Sequence, residues 1–283
     1  MKDDRGRSPS FESALYLFCL ARPHVAPCTK GMGLDEQSPL CSQTFQDVTA
    51  VISNVLLDDF CGPAADAHMQ DLGWLGPRAH RHEAVVERAM QCSPVLPARF
   101  GTLFSSPESL EKFLRRHHPA ISDFLDRVTD MEEWSVKVLL DPAISKRELL
   151  SQTEAGPEQG PPSSPGMRYL QQKRIRADLE KQLNHWVTEV TDRIANDLSA
   201  QAEGCCRRRV LRYGDGSEGR DTILNWAFLV PRAAARRFHG RIERANLEYA
   251  PQGIVLAATG PWPPHSFCPS LENESGLPGA QHG

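Results

Sequence analysis

Membrane-spanning and catalytic signatures are what this sequence most clearly lacks. No apolar run approaches the roughly 18–20 residues that a spanning helix requires. The longest early candidate, ALYLFCL at residues 14–20, is too short. The mixed-charge stretch before it, with no small-residue cleavage site after it, reads as neither a secretory signal nor a transit peptide. The expected location is therefore the cytoplasm, in a reducing compartment, with no membrane as partner. A formal net charge of -4 argues against nucleic acid as the main partner.

Motifs for chemistry are missing too. The eight cysteines contain no C-x-x-C, so neither a zinc knuckle nor a thioredoxin-type motif is present, and the vicinal Cys205 and Cys206 read as free thiols. There is no G-x-S-x-G, no Walker A run and no G-x-G-x-x-G. His80 and His82 would lie roughly 200° apart around a helix, so they cannot share one ion as an i, i+4 pair would. That stretch reads as a solvated helix face with one histidine turned inward. His117 and His118 precede Pro119, where a helix is expected to stop, and are placed at its last carbonyls. The chain is expected to hold no catalytic, cofactor or metal site.

What is present is a soluble-type composition, 40% apolar and 24% charged, in a chain long enough for two ordinary domains. Residues 1–12 and 269–283 are rich in polar residues, Gly, Pro and Ser and are expected to be disordered tails. A similar stretch, SQTEAGPEQGPPSSPG at 151–166, is expected to be an exposed loop between a strand and a helix.

The second half has the clearer pattern. WSVKVLL (134–140) alternates as a strand, and Ile175, Leu179, Leu183, Trp186, Val187, Val190, Ile194 and Leu198 step as one long helix. RRRVLRYG (207–214) reads as a strand, GDGSEG as a turn, and TILNWAFLV (222–230) as a strand closed by Pro231. A helix through Phe238, Ile242, Ala245 and Tyr249 and a last strand, GIVLAATG (253–260), complete the order β-α-β-β-α-β. That order predicts a ferredoxin-like domain with its first and third strands central. The arginines would then protect the second strand as an edge, whereas the wholly apolar fourth strand needs a cover: the N-terminal domain or a partner.

In the first half, strands are expected at Ala14–Leu20 and around Phe45–Ser53. Helices are expected over about Arg78–Gln91, from the N-cap Ser106 through Leu114, and over about Ala120–Thr129. The overall expectation is an α+β protein of two domains, 13–131 and 132–268. The second would be a modified ferredoxin-like βαββαβ with a long helix and the Pro/Gly-rich loop.

Two segments invite a functional reading. In PVLPARFGTLF (94–104), prolines stiffen the chain and Gly101 permits an unusual backbone. Arg99, among apolar neighbours, is expected to pair with a carboxylate. A structural clamp and a binding surface through Arg99, Phe100, Gly101, Thr102 and Phe104 both remain open. In LAATGPWPPHSF (256–267), prolines pin Trp262, with Phe267 behind. His265 and Ser266 lack a third group to make them base and nucleophile, so the stretch reads as an anchor or interface. Ten arginines against four acids between residues 204 and 244 form a local basic surplus. An RNA-facing sheet would need exposed aromatics, and Trp226 and Phe228 belong to a strand that reads as buried.

Taken in order, RHEAVVERAM, PVLPARFGTLF, WSVKV, the helix start GMRYLQQKR and TGPWPPHSF resemble the GvpL/GvpF gas vesicle proteins over roughly residues 13–268. Ala98, in place of a bulkier apolar residue, departs from the pattern. The resemblance implies two α+β domains and no catalytic residues. It also implies a role in binding the small hydrophobic shell protein and other accessory proteins during vesicle nucleation and assembly, with association with the vesicle. The alternatives are a regulatory ligand- or RNA-binding ferredoxin-like module, or an enzyme on that scaffold using His265 as base.

Overall fold

A computed structural model describes residues 13–153, 165–210 and 220–271. The expected tail 1–12, most of the tail 269–283, the turn GDGSEG and residues 154–164 of the expected loop lie outside them. The chain is a mixture of helix and sheet. Its contacts group into two units: residues through Asp130 together with those from Pro263, and Met131–Trp262. Residues 263–268, assigned from sequence to the C-terminal domain, thus group with the first unit.

The first unit is organised on β1 (Ser13–Ala21), whose Tyr16, Phe18, Cys19 and Ala21 are wholly buried. β2 (Cys41–Phe45) and β3 (Val48–Leu56) form a hairpin, so the apolar run read as one strand around 45–53 contains a turn. Gln46 supplies the positive φ there, at 53°. β4 (Val95–Pro97) and β5 (Leu103–Phe104) both pair with β1, giving the sheet order β2-β3-β1-β4 with β5 beside β1.

α1 (Pro63–Gln70) precedes α2 (Leu72–Met90), which begins a turn and a half before the expected Arg78 because Asp71 caps the Gly73 amide. α3 (Pro107–Arg127) is one helix rather than two, opened by reciprocal Ser106 and Ser109 hydrogen bonds. Pro119 sits inside it. A proline in a helix interior costs about 3 kcal/mol. Here the buried stripe Leu110, Leu114, Ile121, Phe124 and Leu125 runs across it on both sides, and burial of those side chains outweighs that cost.

In the second unit, β6 (Met131–Leu140) and β8 (Asp221–Pro231) are central, with β7 (Gly204–Arg207) and β9 (Ile254–Trp262) outside them. All three pairings are antiparallel. α4 (Pro142–Thr153) was not anticipated, although Asp141 before Pro142 is its signal: Asp141 Oδ1 accepts from the amides of Ala143 and Ile144. Its last turn takes up residues 151–153 of the expected loop. α5 (Pro165–Ser199) and α6 (Ala235–Tyr249) pack Val190, Ile194, Leu198, Phe238, Ile242 and Tyr249 on Val136, Val138, Trp226, Phe228 and Ile254.

Two features of this sheet depart from the sequence reading. β7 stops at Arg207, and Arg208 turns inward to form an ion pair with the buried Glu133 rather than guarding an edge. The β9 edge is covered partly from within its own unit. The Asn246 carboxamide of α6 accepts from the Leu256 amide at 2.7 Å and donates to its carbonyl at 3.0 Å. That device closes the edge where the strand is buried; from Thr259 onward the strand is exposed.

Cysteine usage also differs. Cys28 and Cys92 form a disulfide with Cα atoms 6.4 Å apart, within the usual range, whereas Cys205 and Cys206 are free.

Candidate functional site

The segment after β4 is held from below by a single hydrogen-bonded chain. Ala98 N–H donates to the Phe18 carbonyl at 2.9 Å, and the Ala98 carbonyl lies 3.2 Å from His82 Nε2. A carbonyl can only accept, so His82 carries its proton on Nε2. Its Nδ1 therefore accepts from the Tyr16 hydroxyl, at 2.8 Å. The Tyr16 oxygen in turn accepts from Gly101 N–H at 3.3 Å. Burial pushes the His82 pKa down to about 4 and holds the Tyr16 phenol above its ordinary range, so both are neutral.

Between these anchors the chain turns tightly. The Arg99 carbonyl accepts from Thr102 N–H and from its hydroxyl, at 3.1 and 2.7 Å. Gly101 takes φ +82°, in the left-handed region that favours glycine. The turn throws Arg99 outward, where it is exposed and makes no ion pair among the described residues. The expected carboxylate partner is absent because the side chain is never buried. Phe100 points the other way, half-buried against Tyr16, Phe60 and His82. Phe104 is 2% exposed and packs on Phe113, so its contribution is to the core.

The second segment divides at Trp262. Gly260, at φ +139°, brings the backbone so close to Glu133 that an added Cβ would lie 2.9 Å from its carbonyl oxygen. Trp262 ends β9, satisfies its indole N–H on Thr259 Oγ1 at 3.2 Å, and is 40% exposed. From Pro263 the chain belongs to the first unit. His265 Nε2 meets Glu83 Oε2 of α2 at 3.1 Å, and Arg127 of α3 donates to the Phe267 carbonyl at 2.9 Å. The His265 contact holds the Glu83 carboxyl below its ordinary pKa. Of the residues singled out from sequence, Arg99–Phe104 and Phe267 thus lie in one unit and Trp262 in the other.

A further polar cluster escaped the sequence reading. Arg22, at the end of β1, pairs with Asp47 of the β2–β3 turn and Asp126 of α3, and donates to the Ser122 hydroxyl and carbonyl at 3.1 Å each. His118 joins through Asp47, which it keeps below the usual carboxylate range. His118 is therefore mid-helix and side-chain paired, not a cap for terminal carbonyls.

Nothing in these clusters assembles a nucleophile, base and orienting group, and no group of three or more metal-ligating side chains occurs among the described residues. No helix among them is long and apolar enough to cross a membrane. Trp226 and Phe228 are buried, so neither can stack an RNA base.

Comparison with known proteins gives these surfaces a context. The family described as gas vesicle synthesis protein GvpL/GvpF matches residues 14–269. Gas vesicle protein L of Streptomyces sp. strain CB03234 is 27% identical over 263 residues, 92% of this chain and 94% of that protein. Gas vesicle protein L1 of Halobacterium salinarum is 24% identical and covers 67% of this chain and 69% of its own. The crystal structure of gas vesicle protein GvpF from Anabaena sp. PCC7120 superposes with a TM-score of 0.66 at 18% identity, covering 91% of this chain and 97% of that one. GvpF from Microcystis aeruginosa gives a TM-score of 0.58 at 15% identity, covering 90% and 98%.

Proposed function

Because the chain belongs to the GvpL/GvpF family of gas vesicle synthesis proteins, we propose that it is a non-enzymatic accessory or minor structural protein of the gas vesicle. It binds the small hydrophobic shell protein and other accessory proteins while vesicles nucleate and grow, in the cytoplasm and at the vesicle. Its second unit is a modified ferredoxin-like domain, a reading supported by the strand order β7-β8-β6-β9 with the first and third strands of the unit central.

The observation that carries the proposal is the open end of β9. Asn246 closes the edge at Leu256, but Thr259–Trp262 are exposed, and a large aromatic ring stands there with its polar N–H already satisfied. An apolar subunit that must not aggregate before joining a wall can bury surface against such a ring. Tryptophan is also the residue type most often dominant at protein interfaces. Arg99 and Thr102, presented by the glycine turn, form a second candidate contact. Phe100 and Gly101 belong to that turn, and Phe267 of the same unit is a further candidate; all three are half-buried.

Co-expression with the shell protein, followed by affinity capture, tests this. The shell protein is expected to co-purify and stay soluble with the wild-type chain, and capture is expected to fall at least about tenfold for Trp262→Asp, a loss of roughly 1.4 kcal/mol or more. Unchanged capture by a folded Trp262→Asp chain removes that site. No capture by wild type removes direct shell binding.

A further inference from the structure

Between α5 and α6 the second unit carries a groove of about 260 Å³ that neither segment discussed above contributes to. Its floor is apolar: Ile194 and Leu198 from α5, Ala245 and Tyr249 from α6. Its walls are cationic. Arg193 stands on the α5 side, and Arg241 and Arg244 on the α6 side. Arg237 continues the second wall, since positions 237, 241 and 244 follow the i, i+4, i+7 spacing of one helix face. Two acids interrupt the walls, Asp197 and Glu248.

The existing pairings leave part of this charge uncommitted. Arg241 is engaged by Asp197 at 3.0 Å, and Arg193 donates to the Tyr249 hydroxyl at 3.2 Å. Arg237 and Arg244 are exposed and make no ion pair among the described residues. An arginine-walled, apolar-floored groove stands out on a chain whose formal net charge is -4.

We infer that this groove receives an acidic amphipathic helix of a protein partner. An apolar side chain would sit on Ile194, Leu198, Ala245 and Tyr249, with carboxylates on Arg237 and Arg244. The size fits one side chain rather than a compact ligand, since small-molecule pockets run to about 300–1,000 Å³. The setting between two helix flanks suits a third helix laid along them, with its ridge in the groove. Carboxylates match the free arginines in sign and in bidentate geometry. A nucleic-acid backbone fits less well, because a run of phosphates would meet Asp197 and Glu248, and the tyrosine ring at the floor is too buried to stack a base.

The inference rests on the reading of the chain as a binder of other proteins in vesicle assembly, and names the chemistry of one such partner. Its test is independent of shell-protein capture. A fluorescently labelled helical peptide, with leucine at i, i+4 and i+7 and glutamate at the flanking positions, is titrated into the full chain and followed by anisotropy. A version with lysine for every glutamate serves as the charge control. The glutamate peptide is expected to bind, with affinity falling as salt rises, and the lysine peptide is not. Arg237→Glu combined with Arg244→Glu is expected to weaken binding at least about tenfold. Arg244→Gln, the milder change, is expected to lose a smaller share, with thermal unfolding of both variants unchanged. The groove is removed as a site if the glutamate peptide does not bind, if both peptides bind equally, or if the arginine variants bind as wild type does. Displacement of the peptide by a single-stranded RNA oligonucleotide, abolished by the same variants, would reassign the groove to nucleic acid and overturn the inference. The shell-capture assay run on the Arg237→Glu, Arg244→Glu chain keeps the two readings apart: intact capture beside failed peptide binding discards the groove alone.

Discussion

The Tyr16 hydroxyl donates to His82 Nδ1 at 2.8 Å in the middle of the first unit, where neither residue is reached by solvent. With the histidine tautomer fixed by the Ala98 carbonyl at Nε2, this contact takes up the hydroxyl proton and leaves the Tyr16 oxygen to receive the Gly101 amide. The conformation of the Arg99–Thr102 turn is thereby decided by a buried pair.

Acid should loosen the first unit through His82. Its folded pKa, about 4, lies below the ordinary histidine value, so the unfolded chain takes up a proton first. The contribution is complete above about pH 6.5 and is lost as pH falls toward 4, worth roughly 3 kcal/mol in all. Asp47 and Glu83, whose carboxyls are also held low, act in the same direction. Urea unfolding between pH 4 and pH 7 should show stability rising with pH, and His82→Gln should flatten part of that slope. An unaltered slope in the variant would assign the acid sensitivity elsewhere.

Removing Arg208 should be costly. Its partner Glu133 is 0% exposed at the side chain, and breaking a buried pair typically costs about 3–5 kcal/mol because the remaining buried charge is left with less compensation. Arg208→Met should therefore lower the urea midpoint strongly, and Glu133→Gln added to it should restore part of the loss. Equal stability of the single and double variants would mean that the Glu133 charge is not the source of the loss.

Two glycines with similar backbones should respond differently to alanine. Gly101 (φ +82°) has nothing within 4 Å of an added Cβ, so only the backbone penalty of roughly 1–2 kcal/mol applies. Gly253 (φ +91°) would bring that Cβ to 2.5 Å from Ser145 Oγ and 2.7 Å from the Asp141 carbonyl. Gly253→Ala should thus be the more destabilised of the two in thermal unfolding, by about 1 kcal/mol or more. The reverse order would contradict the packing around α4.

Asn246→Leu should uncover the β9 edge at Leu256. Loss of two hydrogen bonds to buried backbone groups should cost about 1–3 kcal/mol. An open edge also invites pairing between chains, so light scattering should detect more self-association than in wild type. Scattering equal to wild type would mean that the strand is protected by other means.

The elements legible in the sequence are those with an unbroken period or an unbroken apolar run. β6 and α6 announce themselves by a periodic buried face, and β1 and β8 by apolar runs buried on both faces over most of their length. The errors came where a local signal was overruled by packing or by a partner distant in sequence. Pro119 signals a stop, yet α3 continues because its apolar stripe is buried on both sides. Arg99 looks buried among apolar neighbours, but the turn that exposes it depends on Tyr16, 83 positions earlier, holding the Gly101 amide. The Arg22, Asp47, His118 and Asp126 cluster joins three separate stretches, the end of β1, the β2–β3 turn and α3, and its pairings leave no pattern within any one of them. The α4 start is marked by Asp141-Pro142, but the Pro/Gly-rich stretch that follows carries the stronger local signal and points to a loop.

The division of the chain at Asp130 and Pro263 sets an order for its synthesis. Every residue of the second unit is synthesised before His265 and Phe267 exist to meet Glu83 and Arg127. Domains generally fold as units while the chain grows. The first unit must therefore wait, lacking its final segment, through the translation of more than a hundred intervening residues, Met131–Trp262. The unit made first is finished last.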